Sequence, residues 1–295
     1  MIPSQRPRSL SAAAAPTGGV GSSARQRMPG ATDCHLHIFG PNARYPYTPN
    51  RAYTPPEASL ASYDALAASL GLERMVIVQP SVYGKDNSCT LDMTAAAGKA
   101  RARAVAVVDD SFSDSQLSDM NERGVRGIRV NALTPAGMPL DQIRKLAERI
   151  APLGWHMQFW IGGPQLVALA DVIRGLPVPA VFDHMGQFAV EGGMEHPELK
   201  TLLSLLETDH CWVKLCGYRV SRQGPPYDDI RAPVAAMIAT APTRCLWGTD
   251  WPHPHLEGRS YPDDRLLLDL LAAWAGDEAQ LERILVDNPA RLYGF

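Results

Sequence analysis

Asp33-Cys34-His35-Leu36-His37 sets two imidazoles two residues apart. On an extended chain that spacing points both to the same side, so His35 and His37 can share one metal ion or grip one substrate oxygen. A chance pair is the plain alternative in a chain with eight histidines. Phe182-Asp183-His184-Met185-Gly186 ends a short apolar run in an acid, an imidazole and a glycine. A hydrogen-bonded core histidine is the rival role for His184. Leu246-Trp247-Gly248-Thr249-Asp250-Trp251-Pro252-His253 repeats the pattern with a carboxylate at its end. A carboxylate there can ligate a metal, act as general base toward water, or do both in turn. Helix capping is the other use of such an aspartate, and Pro252 and Pro254 argue against a helix starting there. Arginine forks match carboxylates bidentately. Arg126, Arg129, Arg219 and Arg222 all lie in or after apolar runs, and Arg129 and Arg219 are the better placed. Ser81, Tyr83, Asn131, Gln158 and Trp160 stand at or near run ends and can line a polar pocket.

These residues need a frame that gathers run ends at one place. Eight short apolar, β-branched runs read as strands: Thr32–Phe39, Arg74–Gln79, Ala104–Val108, Val125–Asn131, His156–Ile161, Ala180–Asp183, Trp212–Cys216 and Cys245–Thr249. Helical patterns lie between them, at Leu60–Ser69, Gln116–Glu122, Leu140–Ile150, Gln165–Arg174, Pro197–Leu206, Ile230–Thr240 and Asp264–Ala275. Leu140, Ile143, Leu146, Ala147 and Ile150 recur at helical spacing among charged residues, which predicts one buried face. Strand–helix alternation implies parallel pairing through right-handed crossovers. Eight units in this length predict a closed (β/α)8 TIM barrel, whose polar strand ends would meet at one mouth. An open doubly wound sheet would place a glycine-rich phosphate loop after its first strand, and Gly40-Pro41-Asn42-Ala43-Arg44 is not one. The segment with Tyr45, Tyr47 and Tyr53 among several prolines is either a lid or a surface strap.

Composition limits the rest. Hydrophobic content of 45% and charged content of 20% suit a chain that buries a full core. A net charge of -3 lacks the basic surplus of a nucleic-acid binder. No apolar run approaches the roughly 18 to 20 residues of a membrane span. Five cysteines, Cys34, Cys89, Cys211, Cys216 and Cys245, with no CxxC pair, predict free thiols in a reducing, cytoplasmic setting. Residues 1–30 are rich in Ser, Ala, Gly and Pro and carry four arginines without an acid. They read as a flexible tail, with residues 31–295 as one catalytic barrel. Self-association is left open.

Taken together, the motifs resemble the amidohydrolase superfamily. More closely, they resemble the branch containing 2-pyrone-4,6-dicarboxylate lactonase. The resembling segments are DCHLHIFGP, QPSVYG, RGIRVN, VFDHMG, VKLCGYRVS, WGTDWPHP and DNPARLYGF, in order from Asp33 to Phe295. The resemblance implies a distorted barrel that opens a small anionic lactone by water attack. Asp250 would be the general base, and His35, His37 and His184 would polarise the carbonyl and stabilise the oxyanion. Arg129 and Arg219 would bind a substrate carboxylate, with Tyr53, Ser81 and Trp160 completing the pocket. Two departures stand out. After Arg129 the chain reads Val130 to Pro135 without the branch's second arginine, which implies fewer clamps for an anion. Asn131, Gln158 and Trp160 replace the bridging ligand and further histidine of binuclear relatives, which argues against a two-metal site. Two alternatives follow: a metal-free site, which is favoured, or a single zinc on His35, His37, His184 and Asp250. Rival reactions within the same resemblance are lactone isomerisation and metal-dependent decarboxylation.

Overall fold

The computed structural model describes residues 28–131, 142–256 and 260–295. Residues 1–27 of the expected tail, and the start of the predicted Leu140–Ile150 helix, lie outside the described residues. Of the tail's last residues, Met28 packs on the core and the Gly30 N–H donates to the Glu73 carboxylate at 2.8 Å.

The strands form one sheet in sequential order with every pair parallel. They are β1 (Thr32–Leu36), β2 (Arg74–Val78), β3 (Ala102–Ala106), β4 (Val125–Asn131), β5 (His156–Trp160), β6 (Ala180–Phe182), β7 (Cys211–Lys214) and β8 (Cys245–Leu246). Closure is completed beyond the short β8. The Cys34 N–H donates to Trp247 O at 2.9 Å, the Asp250 N–H to His35 O at 2.7 Å, and the His37 N–H to Trp251 O at 2.8 Å. These bonds remove the edge that an open sheet would leave. They need close approach, and Gly248 permits it: a Cβ there would lie 2.5 Å from the His35 backbone nitrogen.

Several strands are shorter than the apolar runs that encode them. Regular strand geometry ends at Leu36, Lys214 and Leu246, with only single backbone bonds beyond, whereas apolar character continues to Phe39, Cys216 and Trp247. Past these points the backbone turns to the rim, carrying the polar residues with it.

The helices are α1 (Leu60–Leu70), α2 (Ser88–Ala97), α3 (Asp114–Glu122), α4 (Ile143–Ile150), α5 (Gly163–Arg174), α6 (Pro197–Leu206), α7 (Arg231–Thr240) and α8 (Asp264–Ala275). In α4 the buried residues are Ile143, Leu146, Ala147 and Ile150, as its periodicity requires. Helix α2 is not among the stretches that periodicity predicts. Its buried face is Cys89, Thr90, Leu91 and Thr94, so burial there does not follow hydrophobicity. Ser113 caps α3 with a capping box to Gln116, and the helix starts at Asp114, two residues before the predicted start.

One apolar layer lies between sheet and helices. A second, smaller cluster fills the barrel: Cys34, Val76, Val78, Val105, Val181, Trp212, Leu246 and Tyr293. Short helices α9 (Glu278–Glu282) and α10 (Asn288–Tyr293) bring Tyr293 to the floor, where its ring meets that of His156 at 5.2 Å. The floor is thus plugged, and the working end is the opposite rim, at the strands' C-terminal ends.

Candidate active site

Residues far apart in the chain, carried on or just beyond β1, β4, β6, β7 and β8, converge at that rim. His35 lies in β1 and His37 just beyond it, and their rings are 5.1 Å apart and edge-on. His184 lies in the turn after β6, with its ring 4.8 Å from that of His35. Its φ is 47°, followed by 56° at Met185 and 69° at Gly186. Asp250, after β8, is also left-handed, with φ of 62°. Such a backbone costs roughly 1–3 kcal/mol at a non-glycine residue and persists where the surroundings over-determine it.

Asp250 is the hub. Its Oδ1 lies 3.4 Å from His37 Nε2 and 3.6 Å from His35 Nε2, and it has no hydrogen-bond partner among the described residues. Its Oδ2 accepts from the Tyr218 hydroxyl at 2.6 Å and from Arg219 Nε. Burial acts to raise this carboxyl, but the adjacent Arg219 guanidinium holds it well below the usual range. It is therefore ionised at neutral pH.

A second carboxylate lies deeper. Asp183 accepts from Arg129 Nε at 3.2 Å and from Gln158 Nε2 at 3.0 Å, with Lys214 Nζ at 3.4 Å. Burial opposes its ionisation, but His35, Lys214 and Arg129 outweigh burial and hold it low. Lys214 is fully buried. It donates to Gln158 Oε1 at 2.7 Å and reaches His35 Nδ1 at 3.2 Å.

These contacts set the tautomer of His37. His37 Nδ1 lies 2.8 Å from the Val78 carbonyl, which only accepts, so Nδ1 carries the proton and Nε2 is an acceptor. His35 Nδ1 sits between Lys214 Nζ at 3.2 Å, a donor, and Asp183 Oδ1 at 3.1 Å, an acceptor, so either ring nitrogen can carry its proton. Burial pushes both imidazoles down, His35 furthest, and lowers His184 to about 3, so all three are neutral.

The expected pocket residues also reach this place. Trp160 stacks on the Arg129 guanidinium at 4.8 Å, and its Nε1 is buried without a partner among the described residues. Tyr53 pairs with Ser81 and lies within electrostatic reach of Arg129, Asp250 and Arg219, and burial raises its phenol to about 12. The segment bearing Tyr53 is pinned to the body by a Phe39–Ala58 bridge and by the Tyr45 hydroxyl donating to Asp92 at 2.9 Å. It is a strap whose Tyr53 forms part of the wall. Other candidates lie elsewhere. Arg126 donates to Asn121, Arg222 pairs with Glu191 outside, and the Tyr83 hydroxyl accepts from the Gly40 N–H. Arg129 and Arg219, expected to grip a substrate anion, each already pair with a protein carboxylate.

Asp183, Lys214 and Tyr218 were not among the expected site residues. Lys214 left a readable signal: it shares a strand face with Trp212, inside an apolar run where a lysine must find a partner.

Ligand atoms of His35, His37 and Asp250 lie within 4.8 Å of one another, as do those of His35, Asp183 and His184, and those of His184, Cys216 and Asp250. His37, with Nδ1–H on a backbone carbonyl, has the tautomer of a metal ligand. The donor set thus fits a divalent ion by geometry. Its charge does not call for one: Arg129, Lys214 and Arg219 already face Asp183 and Asp250. All five cysteines are free and buried. Among the described residues, no helix is long and apolar enough to cross a membrane.

A plugged parallel barrel with imidazoles and a carboxylate at the C-terminal rim defines a barrel hydrolase class. The amidohydrolase family model matches residues 32–295, and the chain belongs to that family. It is 39% identical over 273 residues to a 4-sulfomuconolactone hydrolase of Rhizobium radiobacter, covering 90% of each chain. It is 38% identical over 276 residues to a 2-pyrone-4,6-dicarboxylate hydrolase of Comamonas testosteroni, again over 90% of each. A D-galactarolactone isomerase of Agrobacterium fabrum is 32% identical over 268 residues, 90% of this chain and 91% of the relative. An apo crystal structure from Agrobacterium tumefaciens superposes with a TM-score of 0.82 at 32% identity, over 90% of this chain and 96% of that one.

Proposed function

We propose that this chain hydrolyses a small anionic lactone without a resident metal, with Asp250 as general base. The observation that carries this is the unpartnered Asp250 Oδ1 beside the His37 Nε2 acceptor, 3.4 Å away. A water molecule donating one hydrogen to each acceptor would direct its lone pair to a carbonyl carbon. His35 Nε2–H, and His184 beside it, would meet the carbonyl oxygen as it gains charge. In that role His35 Nδ1 would accept from Lys214 Nζ, 3.2 Å away. Water attack gives a tetrahedral intermediate, Asp250 takes the proton and passes it to the leaving alkoxide, and the ring opens to a hydroxy acid. A carboxylate held low is a weak base, which suits an activated lactone better than an amide. Tyr53, Ser81, Trp160 and the unengaged N–H groups of Arg219 would read the substrate's anionic group. With Arg129 committed to Asp183, the pocket suits a substrate with fewer carboxylates than a dicarboxylate clamp would take. The two hydrolase relatives act on anionic lactones by name, which supports this class.

Zinc, when bound, would sit on His35, His37, His184 and Asp250 and supply Lewis acidity and an acidified water. The three cations already facing the two carboxylates favour the metal-free reading.

Asp250→Asn keeps the shape and removes the base. We expect kcat on a panel of anionic lactones to fall by about 10³-fold or more with an unchanged melting temperature. Undiminished turnover would sink the assignment. Elemental analysis, with assays before and after chelation, tests the metal. A stoichiometric divalent ion needed for turnover would overturn the metal-free site and reopen decarboxylation.

The isomerase relative supports a second reading. Asp250 would then deprotonate a substrate hydroxyl in place of water, and the acyl group would migrate. Product analysis separates the two, because only hydrolysis adds water and releases an acid.

A further inference from the structure

We propose that Tyr218, His253 and Asp264 form a positioning chain that holds Asp250 by Oδ2, so that Oδ1 alone faces the mouth. It rests on the reading of Asp250 as the base.

The contacts run in one line from the base to the start of α8. The Tyr218 hydroxyl lies 2.6 Å from Asp250 Oδ2. His253 Nδ1 lies 3.2 Å from that hydroxyl, and His253 Nε2 lies 3.1 Å from Asp264 Oδ1. Tyr218 and His253 are buried, and the Asp264 side chain is 12% exposed. Proton direction follows from the Asp250 end. An ionised carboxylate only accepts, so Tyr218 spends its one hydrogen on Oδ2. The phenol oxygen then accepts from His253 Nδ1–H. His253 Nε2 and Asp264 Oδ1, 3.1 Å apart, meet in a close polar contact without hydrogen-bond alignment. The Tyr218 and His253 hydrogen bonds therefore both point toward Asp250.

A second observation makes the chain more than incidental packing. Asp250, His253 and His255 have φ of 62°, 59° and 61°, three left-handed non-glycine residues within six positions. Such a loop holds its shape only if anchored. Two anchors are visible. The Thr249 hydroxyl donates to Asp33 at 2.6 Å, before Asp250. His253 reaches Asp264, the first residue of α8, after it.

The chain also guards the base against its own arginine. Arg219 contacts Asp250 through Nε on Oδ2, and its second nitrogen is engaged by Pro254 O at 2.7 Å. Arginine prefers a two-pronged pair with a carboxylate. If Tyr218 released Oδ2, the carboxylate could turn to take both prongs, and Oδ1 would be consumed.

The test uses Tyr218→Phe, the isosteric Asp264→Asn and Asp250→Asn in the full chain. Kinetics are measured on whichever anionic lactone the wild type opens fastest, and crystal structures are determined for wild type, Tyr218→Phe and Asp264→Asn. We expect kcat to fall about ten- to a hundredfold in the first two variants with KM unchanged. Their structures should show Asp250 Oδ1 displaced from His37. Tyr218→Phe combined with Asp264→Asn should cost no more than Tyr218→Phe alone, since both act through one path. An unmoved Asp250 in both structures overturns the chain whatever the activities are. Turnover retained by Asp250→Asn strikes the base assignment instead, and leaves the positions of Asp250 to decide the chain.

Discussion

At the scale of single residues, the lysine inside the barrel has the most to lose. Lys214 donates to Gln158 Oε1 at 2.7 Å and sits 3.4 Å from Asp183. Burial pushes its ammonium down from the usual range, and Asp183 opposes that shift. Removing one partner of a buried pair typically costs 3–5 kcal/mol. Asp183 would keep Arg129 and Gln158, so Lys214→Met should lower the unfolding free energy by about 3 kcal/mol, at the lower end. Urea denaturation checks this, and an unchanged midpoint would mean that Lys214 is not needed to balance Asp183. Turnover should fall as well, because His35 loses the Lys214 donor beside its Nδ1. His35, His37, His184 and Asp250 were legible in the sequence because each ends an apolar run, where a polar residue needs a reason. Tyr218 and His253 were not, because they sit in turns whose course depends on contacts 30 or more residues away, as the separation of 32 between Tyr218 and Asp250 shows.

At the scale of elements, the seam between β8 and β1 controls the site. Both the HxH pair and Asp250 leave the sheet there, joined by backbone bonds. A Cβ on Gly248 would lie 2.5 Å from the His35 nitrogen and 2.6 Å from the His35 Cβ. Neither atom is the flexible end of a side chain, so the strands must part. Gly248→Ala should cost about 3 kcal/mol and abolish turnover. Gly224→Ala, where nothing lies within 4 Å, is the matched control and should stay within about 0.5 kcal/mol of wild type. Equal melting temperatures for the two variants would show that the seam yields. Strand order and most helices follow from periodicity, since alternating apolar runs and amphipathic stretches leave few ways to bury both. Helix α2 escaped because threonines, not large apolar residues, face the core. One of them, Thr90, bonds Gln79 at 2.6 Å, a satisfaction that no hydrophobic pattern encodes. The strand ends escaped for a related reason: apolar residues past Leu36 and Leu246 pack on the rim after regular strand geometry has ended.

At the scale of the whole molecule, the barrel keeps its histidines neutral by burying them. Burial lowers His35 and His37, and takes His156 and His184 to about 3. His156 is far from the mouth, on the floor beside Tyr293. Each of these groups binds a proton less readily in the native state than in the unfolded chain, whose imidazoles titrate near 6.5. Between about 6.5 and 3 the unfolded state therefore holds more protons, and stability must fall as pH falls through that window. Asp33 works the other way. Burial, opposed by donors from Thr249, His35 and Tyr63, raises it to about 6, so the native state gains a proton before the unfolded one does. His156 and His184, both taken to about 3, against one aspartate leave a net of at least about one proton, and His35 and His37 add in the same direction, each proton worth up to about 1.4 kcal/mol per pH unit. The urea midpoint should thus drop steeply between about pH 6.5 and 4, before Asp183 and Asp250 begin to protonate in the native state. His156→Met, which replaces the floor imidazole with a flexible apolar side chain, should lower that slope by about one proton and leave turnover at neutral pH in place. A midpoint flat across the window would mean that the buried imidazoles accept protons without cost. The donor and acceptor roles assigned to His35 and His37 would then lose their basis, since both depend on neutral rings.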